Sequence, residues 1–263
     1  MTSRNSGRHI LFRFVAAVVL ALVLPTVSYP QPPGFKPPPP KTPKDAAPID
    51  LTGYWVSVVS EDWRFRMVTP PKGDYPNIPL NGEGRKVADS WNPTQDPPNS
   101  CKAYGAPNIM RQPGRLNIAW LNDTTLKIDT DAGVQTRMLR FGAPQAPQAA
   151  GDSTWQGFSV AQWEGGAPAF GFGPPGATGP RGGSLKVVTN RIRPGYLQPN
   201  GVPYSGNAVM TEYFDIVKEP NGDVWLIVKS IVEDSRYLLR SFVRSTHFKK
   251  QADAAGWNPT PCR

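Results

Sequence analysis

The residues that could do chemistry are carboxylates set in or beside apolar, strand-like runs. Glu212 lies inside AVMTEYFDIVK, Glu164 follows Trp163, Glu233-Asp234 close DVWLIVKSIVE, and Glu61-Asp62 precede Trp63. In an extended strand, side chains alternate between faces. Val209, Thr211 and Tyr213 therefore share one face, and Met210, Glu212 and Phe214 share the other, which reads as the interior. A carboxylate there needs a cation, because an unpaired charge away from water is costly. Arg64, Arg66 and Arg137 are the candidates. Two roles follow. Glu212 could be half of a buried ion pair, or with Arg66 it could orient a ligand on which Trp63 and Trp163 stack, with Tyr204 and Tyr213 completing the site. Glu212 or Asp234 could also serve as a general base, with Tyr204 or Tyr213 as proton donor, in an isomerase, lyase or hydrolase.

Other chemistries lack their residues. The only histidines are His9 and His247, too few for a multi-histidine metal centre. No Gly-x-Ser-x-Gly or phosphate-binding glycine loop occurs, so no metal or cofactor is expected. Asp129, Asp131 and Gly133 echo part of a calcium loop, but turn chemistry accounts for them. The formal charge of +9 falls to +6 without Arg4, Arg8 and Arg13, and no Lys/Arg-rich run remains. Nucleic-acid binding needs clustered basic charge and is not expected.

The elements that must hold these residues read as β. Leu51–Ser60 is β-branched and aromatic, and Trp63–Val68 alternates with period two. Residues 115–121, 124–130 and 134–141 form a meander with Asn-Asp and Asp-Ala-Gly turns. Strands are expected at 155–164, 184–193, 208–218, 223–233 and 241–250, with Glu219-Pro220-Asn221-Gly222 as a tight turn. One short helix is expected over 82–91, with Asn81 as its N-cap. Such a tally makes an all-β fold, an antiparallel barrel of about eight or nine strands, with a sandwich as second choice.

Residues 1–13 are polar and basic, Phe14–Leu24 is an unbroken apolar run, and Ser28 offers a small residue for cleavage. This is the layout of a secretory signal peptide, too short for a comfortable membrane span. Residues 29–48 read as a proline-rich spacer, with nine prolines between 30 and 48, and residues 49–263 as one domain. Residues 165–183, rich in Gly and Pro, read as an insertion at a hairpin tip. In an oxidising compartment, Cys101 and Cys262, the only cysteines, are expected to form a disulfide.

Gly53-Tyr54-Trp55 resembles the Gly-x-Trp opening of lipocalin-like barrels. The resemblance implies a structural Trp55 covered by an arginine from the last strand, here Arg244. More broadly, WQGFSVAQWEG, SLKVVT, PYSGNAVMTEYFDIV and DVWLIVKSIVEDSRYLLRSFVRS resemble a family of exported, functionally uncharacterised bacterial proteins across residues 105–248. The chain departs from that pattern at Tyr204, where the family has His; at Tyr213, where it has Arg; and at Ser235, where it has Pro. The readings favour an exported binding module for a small apolar or aromatic molecule. The alternatives are an envelope interaction protein, with the proline-rich segment offered to a protein partner, or an enzyme using a carboxylate in the barrel.

Overall fold

The strand count decides the architecture. The computed structural model describes residues 41–97, 100–142, 153–165 and 182–262. The expected signal peptide, most of the expected proline-rich spacer and most of the Gly/Pro tract lie outside them. Nine strands close into a barrel: β1 (Gly53–Val58), β2 (Arg115–Asn122), β3 (Thr125–Thr130), β4 (Gln135–Phe141), β5 (Phe158–Glu164), β6 (Ser184–Asn190), β9 (Val209–Lys218), β10 (Val224–Glu233) and β11 (Phe242–Gln251). A separate ribbon, β7 (Gly195–Gln198) and β8 (Val202–Tyr204), sits between β6 and β9 in the chain. The order round the barrel is β1-β11-β10-β9-β6-β5-β4-β3-β2. An odd ring of strands cannot alternate direction all the way round. The expectation of a wholly antiparallel barrel is therefore corrected at one seam, where β5 runs parallel to β4.

Hydrophobic alternation faces this ring inward. Trp55, Ile118, Leu126, Ile128, Leu139, Leu185, Val187, Phe214, Leu226 and Phe248 are buried in one continuous core. One end is closed by an aromatic row, Trp120 on Phe141 and Phe141 on Trp163, each with ring centroids 5.4 Å apart. Here residues ahead of the expected domain start join the fold: the indole N–H of Trp163 donates to the Pro43 carbonyl at 2.8 Å. The compact unit begins at Lys41, eight residues earlier than the composition implied.

The other end carries a second layer. It holds the helices α1 (Trp63–Met67), α2 (Gly82–Ser90) and α3 (Ala106–Ile109), 3-10 turns at Pro93–Gln95 and Cys101–Tyr104, and the β7–β8 ribbon. A second apolar cluster, including Tyr75, Leu80, Ala88, Leu197, Tyr204 and Phe242, binds this layer to the barrel rim. Asn81 caps α2 as expected, its side chain accepting from Gly84 N–H at 2.8 Å. A Cβ at Gly84 would run into the Tyr237 carbonyl oxygen, so the helix approaches the β10–β11 connection as only glycine allows.

Two local expectations are overturned. Residues 63–68 are not a strand, because Trp63–Met67 forms α1. Turning the segment into a helix lets Arg66 reach Glu61, Ser57 Oγ at 3.0 Å and the Arg111 carbonyl at 2.8 Å. An extended strand would direct it elsewhere. Arg244 does not cover Trp55. The Lys250 ammonium lies 4.6 Å from that ring's centroid and also donates to the Thr52 carbonyl. Arg244 instead meets Asp62 at 2.9 Å and donates to the Asn77 carbonyl at 2.9 Å.

After β11 the chain returns along the barrel wall as a strap. Trp257 packs edge-on against Tyr54, Thr260 N–H donates to the Asp131 carbonyl at 2.9 Å, and Gly133 N–H donates to the Thr260 carbonyl at 2.8 Å. The strap ends in the Cys101–Cys262 disulfide, with Cα atoms 5.2 Å apart across a sequence separation of 161. Closing so long a loop restricts the unfolded chain by about 5 kcal/mol in the chain-entropy treatment. Replacing both cysteines by serine is expected to lower the denaturant midpoint, by up to about 5 kcal/mol of unfolding free energy. An unchanged midpoint in urea unfolding would show that the disulfide adds no stability.

Candidate functional site

The strap and the second layer enclose a cleft of about 1110 Å³ at the layered end of the barrel. Its walls come from separate parts of the chain: the end of α1 (Arg66, Met67, Val68), Trp91 and Asp96 around the first 3-10 turn, Lys102 from the second, Arg115 at the start of β2, Tyr196 on β7, and Thr260, Pro261 and Cys262 of the strap. The size slightly exceeds the usual span of small-molecule sites, about 300–1,000 Å³, and the mix of aromatic faces with a few charged groups is their usual lining.

One wall is a fixed polar cluster. The Lys102 ammonium donates to Asp96 and lies 5.4 Å from the Tyr196 ring centroid. The Tyr196 hydroxyl donates to Asp96 at 3.1–3.2 Å, and Lys102 reaches that hydroxyl at 3.4 Å. The hydrogen bond to Asp96 holds the Lys102 pKa above its ordinary value, so the group is a permanent cation. Burial, with Asp96 beside it, pushes the Tyr196 phenol up, so it stays a donor. The Trp91 indole N–H points to Asp96 at 3.4 Å.

Behind α1 lies a second network. Asp62 joins Arg111 at 3.2 Å and Arg244 at 2.9 Å, and Glu61 joins Arg66 and, at 3.3 Å, His247 Nδ1. Burial lowers the Arg111 pKa to about 10 against the opposing pull of Asp62. Ser60 and Ser245 flank His247 at 3.2 and 3.4 Å. These contacts fasten the β1–α1 connection to β11.

The residues expected to share a ligand site are not brought together. Glu212 and Arg137 form a bidentate pair across the barrel interior at 3.0 and 2.5 Å, with both side chains 0 % exposed. Arg137, not Arg64 or Arg66, is thus the cation that meets Glu212, and Arg64 pairs with Asp74. Trp163 closes the opposite end of the barrel. Tyr213 lies on the outer wall between the ammonium groups of Lys186 and Lys229, 5.7 and 4.6 Å from its ring. Tyr204 is buried in the second layer, its hydroxyl without a hydrogen-bond partner among the described residues and its pKa raised by burial. Trp63 is 64 % exposed on α1, and Arg66 alone among the candidates lines the cleft. Asp234 is buried and engaged by Ser205, whose N–H and hydroxyl donate at 2.6 and 2.8 Å, and by the N–H of Arg236. That arrangement anchors the β8–β9 connection.

Sequence reasoning missed Trp91, Asp96, Lys102, Arg115 and Tyr196. The available signal was Cys101: a disulfide to residue 262 must lay the C-terminal residues beside Lys102. Among the described residues, no group of three or more His, Cys, Asp or Glu side chains could hold a metal ion, and no helix is long and apolar enough to cross a membrane. No family model, curated protein or solved structure matches the chain.

The interior pair makes a direct prediction. Glu212→Gln should cost about 3–5 kcal/mol, because it leaves the Arg137 charge buried without its counter-charge. Arg137→Met combined with Glu212→Leu should recover most of that loss in chemical denaturation. A single variant as stable as the parent would mean that the carboxylate does not hold the guanidinium.

Proposed function

We propose that this chain is an exported small-molecule binding protein whose ligand, apolar or aromatic in its main body, sits in the cleft at the layered end of the barrel. One observation carries the reading: a cleft of about 1110 Å³ is faced by Trp91 and Tyr196 and rimmed by Met67 and Val68, which are 57 % and 61 % exposed. Exposed apolar side chains beside a concavity gain from an occupant that covers them. The barrel interior supports the placement from the other side, since its middle is taken by Arg137, Glu212 and the apolar side chains around them. A signal peptide, export and a lipocalin-like affiliation complete the proposal. They rest on the basic and apolar leader, on the Gly53-Tyr54-Trp55 resemblance and on a disulfide that suits a non-reducing compartment.

The test is native mass spectrometry of the mature protein purified from its exported compartment, followed by titration with neutral aromatics such as indole. An added mass that leaves on denaturation is expected. Trp91→Ala should weaken indole binding about tenfold, or about 1.4 kcal/mol, in line with the contribution of an aromatic pair. A bare mass together with no indole binding overturns the reading. Indole binding unaffected by Trp91→Ala removes the cleft as its place.

A further inference from the structure

Three cations line the cleft, and they are not alike. Arg66 is committed to Glu61, Ser57 and the Arg111 carbonyl. Lys102 is committed to Asp96 and Tyr196. Arg115 has no such partner: its Nε is shut off from solvent without a hydrogen bond, and among the described residues its guanidinium makes neither a hydrogen bond nor a salt bridge. The nearest carboxylate in sequence register, Asp131, is turned to the backbone. It accepts the Arg115 main-chain N–H at 2.6 Å and faces the Asn258 N–H at 3.5 Å. The strap presses on the guanidinium from outside, where a Cβ at Gly256 would collide with Nη2, Cζ and Nε. The terminal nitrogens stay open to solvent, but the buried Nε has no acceptor, and an orphaned donor of this kind calls for an ion or ligand.

We propose that the cleft takes a ligand carrying an oxyanion, and that Arg115 is the residue that anchors it; the inference rests on the cleft reading above. Arginine's planar fork matches a carboxylate or phosphate with two parallel hydrogen bonds. Lys102 lines the same cleft but its charge is answered by Asp96, so Arg115 is the cation left to meet the anion, and Trp91 and Tyr196 receive the rest of the molecule. The ligand class is thus an aromatic carboxylate or an aryl phosphate.

The experiment titrates the mature, disulfide-bonded protein with benzoate, phenyl phosphate, inorganic phosphate and neutral benzamide. Calorimetry gives affinities, and the NMR signal of the Arg115 Nε–H gives the place. Benzoate or phenyl phosphate should bind at least tenfold more tightly than benzamide and should shift the Arg115 signal in the unaltered protein. The preferred probe of the two identifies the oxyanion. Arg115→Gln should abolish the preference and leave benzamide binding in place, and Arg115→Lys should restore part of it. The signal in the unaltered protein decides the matter if Arg115→Gln does not fold. Benzamide binding as tight as benzoate, with the Arg115 signal unmoved, overturns the oxyanion and leaves the cleft reading standing. Failure of every probe to bind overturns both. Inorganic phosphate binding as tightly as phenyl phosphate would overturn the aromatic part of the class.

Discussion

The Arg137–Glu212 pair occupies the place where a barrel of this size would otherwise hold a ligand. A ring of nine strands encloses more space than apolar side chains from its wall alone fill easily, and two long side chains reaching from β4 and β9 bridge it. The arrangement is demanding. Both charges leave water entirely, and the bidentate contact leaves Arg137 Nε without a partner. Removing two ions from water costs several kcal/mol each, so the pair gives little net stability. It fixes geometry instead: β4 and β9 cannot slide relative to each other without breaking two charge-assisted hydrogen bonds in a medium of low dielectric. At the level of the pair the interior is therefore filled by the protein's own side chains.

The open space lies at the layered end, where the strap forms part of the cleft wall. Asp131 illustrates the construction. One carboxylate oxygen holds the first amide of β2, its main-chain carbonyl accepts from Thr260, and the disulfide then fastens residue 262 to the 3-10 turn that carries Lys102. Segments far apart in sequence become opposite walls. Without the strap, Arg115 would face solvent from the start of a barrel strand, and its lack of a counter-charge would need no explanation. Beneath the strap, the same guanidinium is confined.

Where the sequence was legible, the pattern was strong and local. The meander of β2 to β4, the Glu219–Gly222 turn and the inward face of Met210, Glu212 and Phe214 follow from period-two alternation and turn residues. The disulfide follows from having only two cysteines behind an N-terminal stretch that reads as an export leader. What was illegible depends on long-range charge. Trp63–Met67 alternates apolar and basic residues, which fits a strand, yet the same spacing serves a one-turn helix in which Trp63 and Met67 share a face four residues apart. The choice is made by Glu61 and Asp62, whose partners Arg66, Arg111, Arg244 and His247 come from three regions of the chain. The cover over Trp55 is set by register: β1 pairs Trp55 with Lys250, and Arg244 lies six residues back along β11, beside Asp62. The cleft was hidden for the same reason: Trp91, Lys102, Arg115 and Tyr196 converge only after the layer and the strap are in place.

That convergence ties binding to the fold. A ligand in the cleft would touch β2, the second layer and the strap at once, so it would bind only when all three are assembled. Linkage then requires the ligand to stabilise the assembled state by an amount that grows with the logarithm of its concentration over Kd. The disulfide acts on the same equilibrium from the other side, by removing states in which the strap is detached. The two are partly redundant: with the disulfide closed, less of the ligand's interaction energy goes into ordering residues 252–262, and more appears as affinity. Cleft and core are joined in the same way, because Ala103, Tyr104 and Cys262 line the cleft and belong to the barrel's apolar core, so a change in that part of the lining is felt in the core.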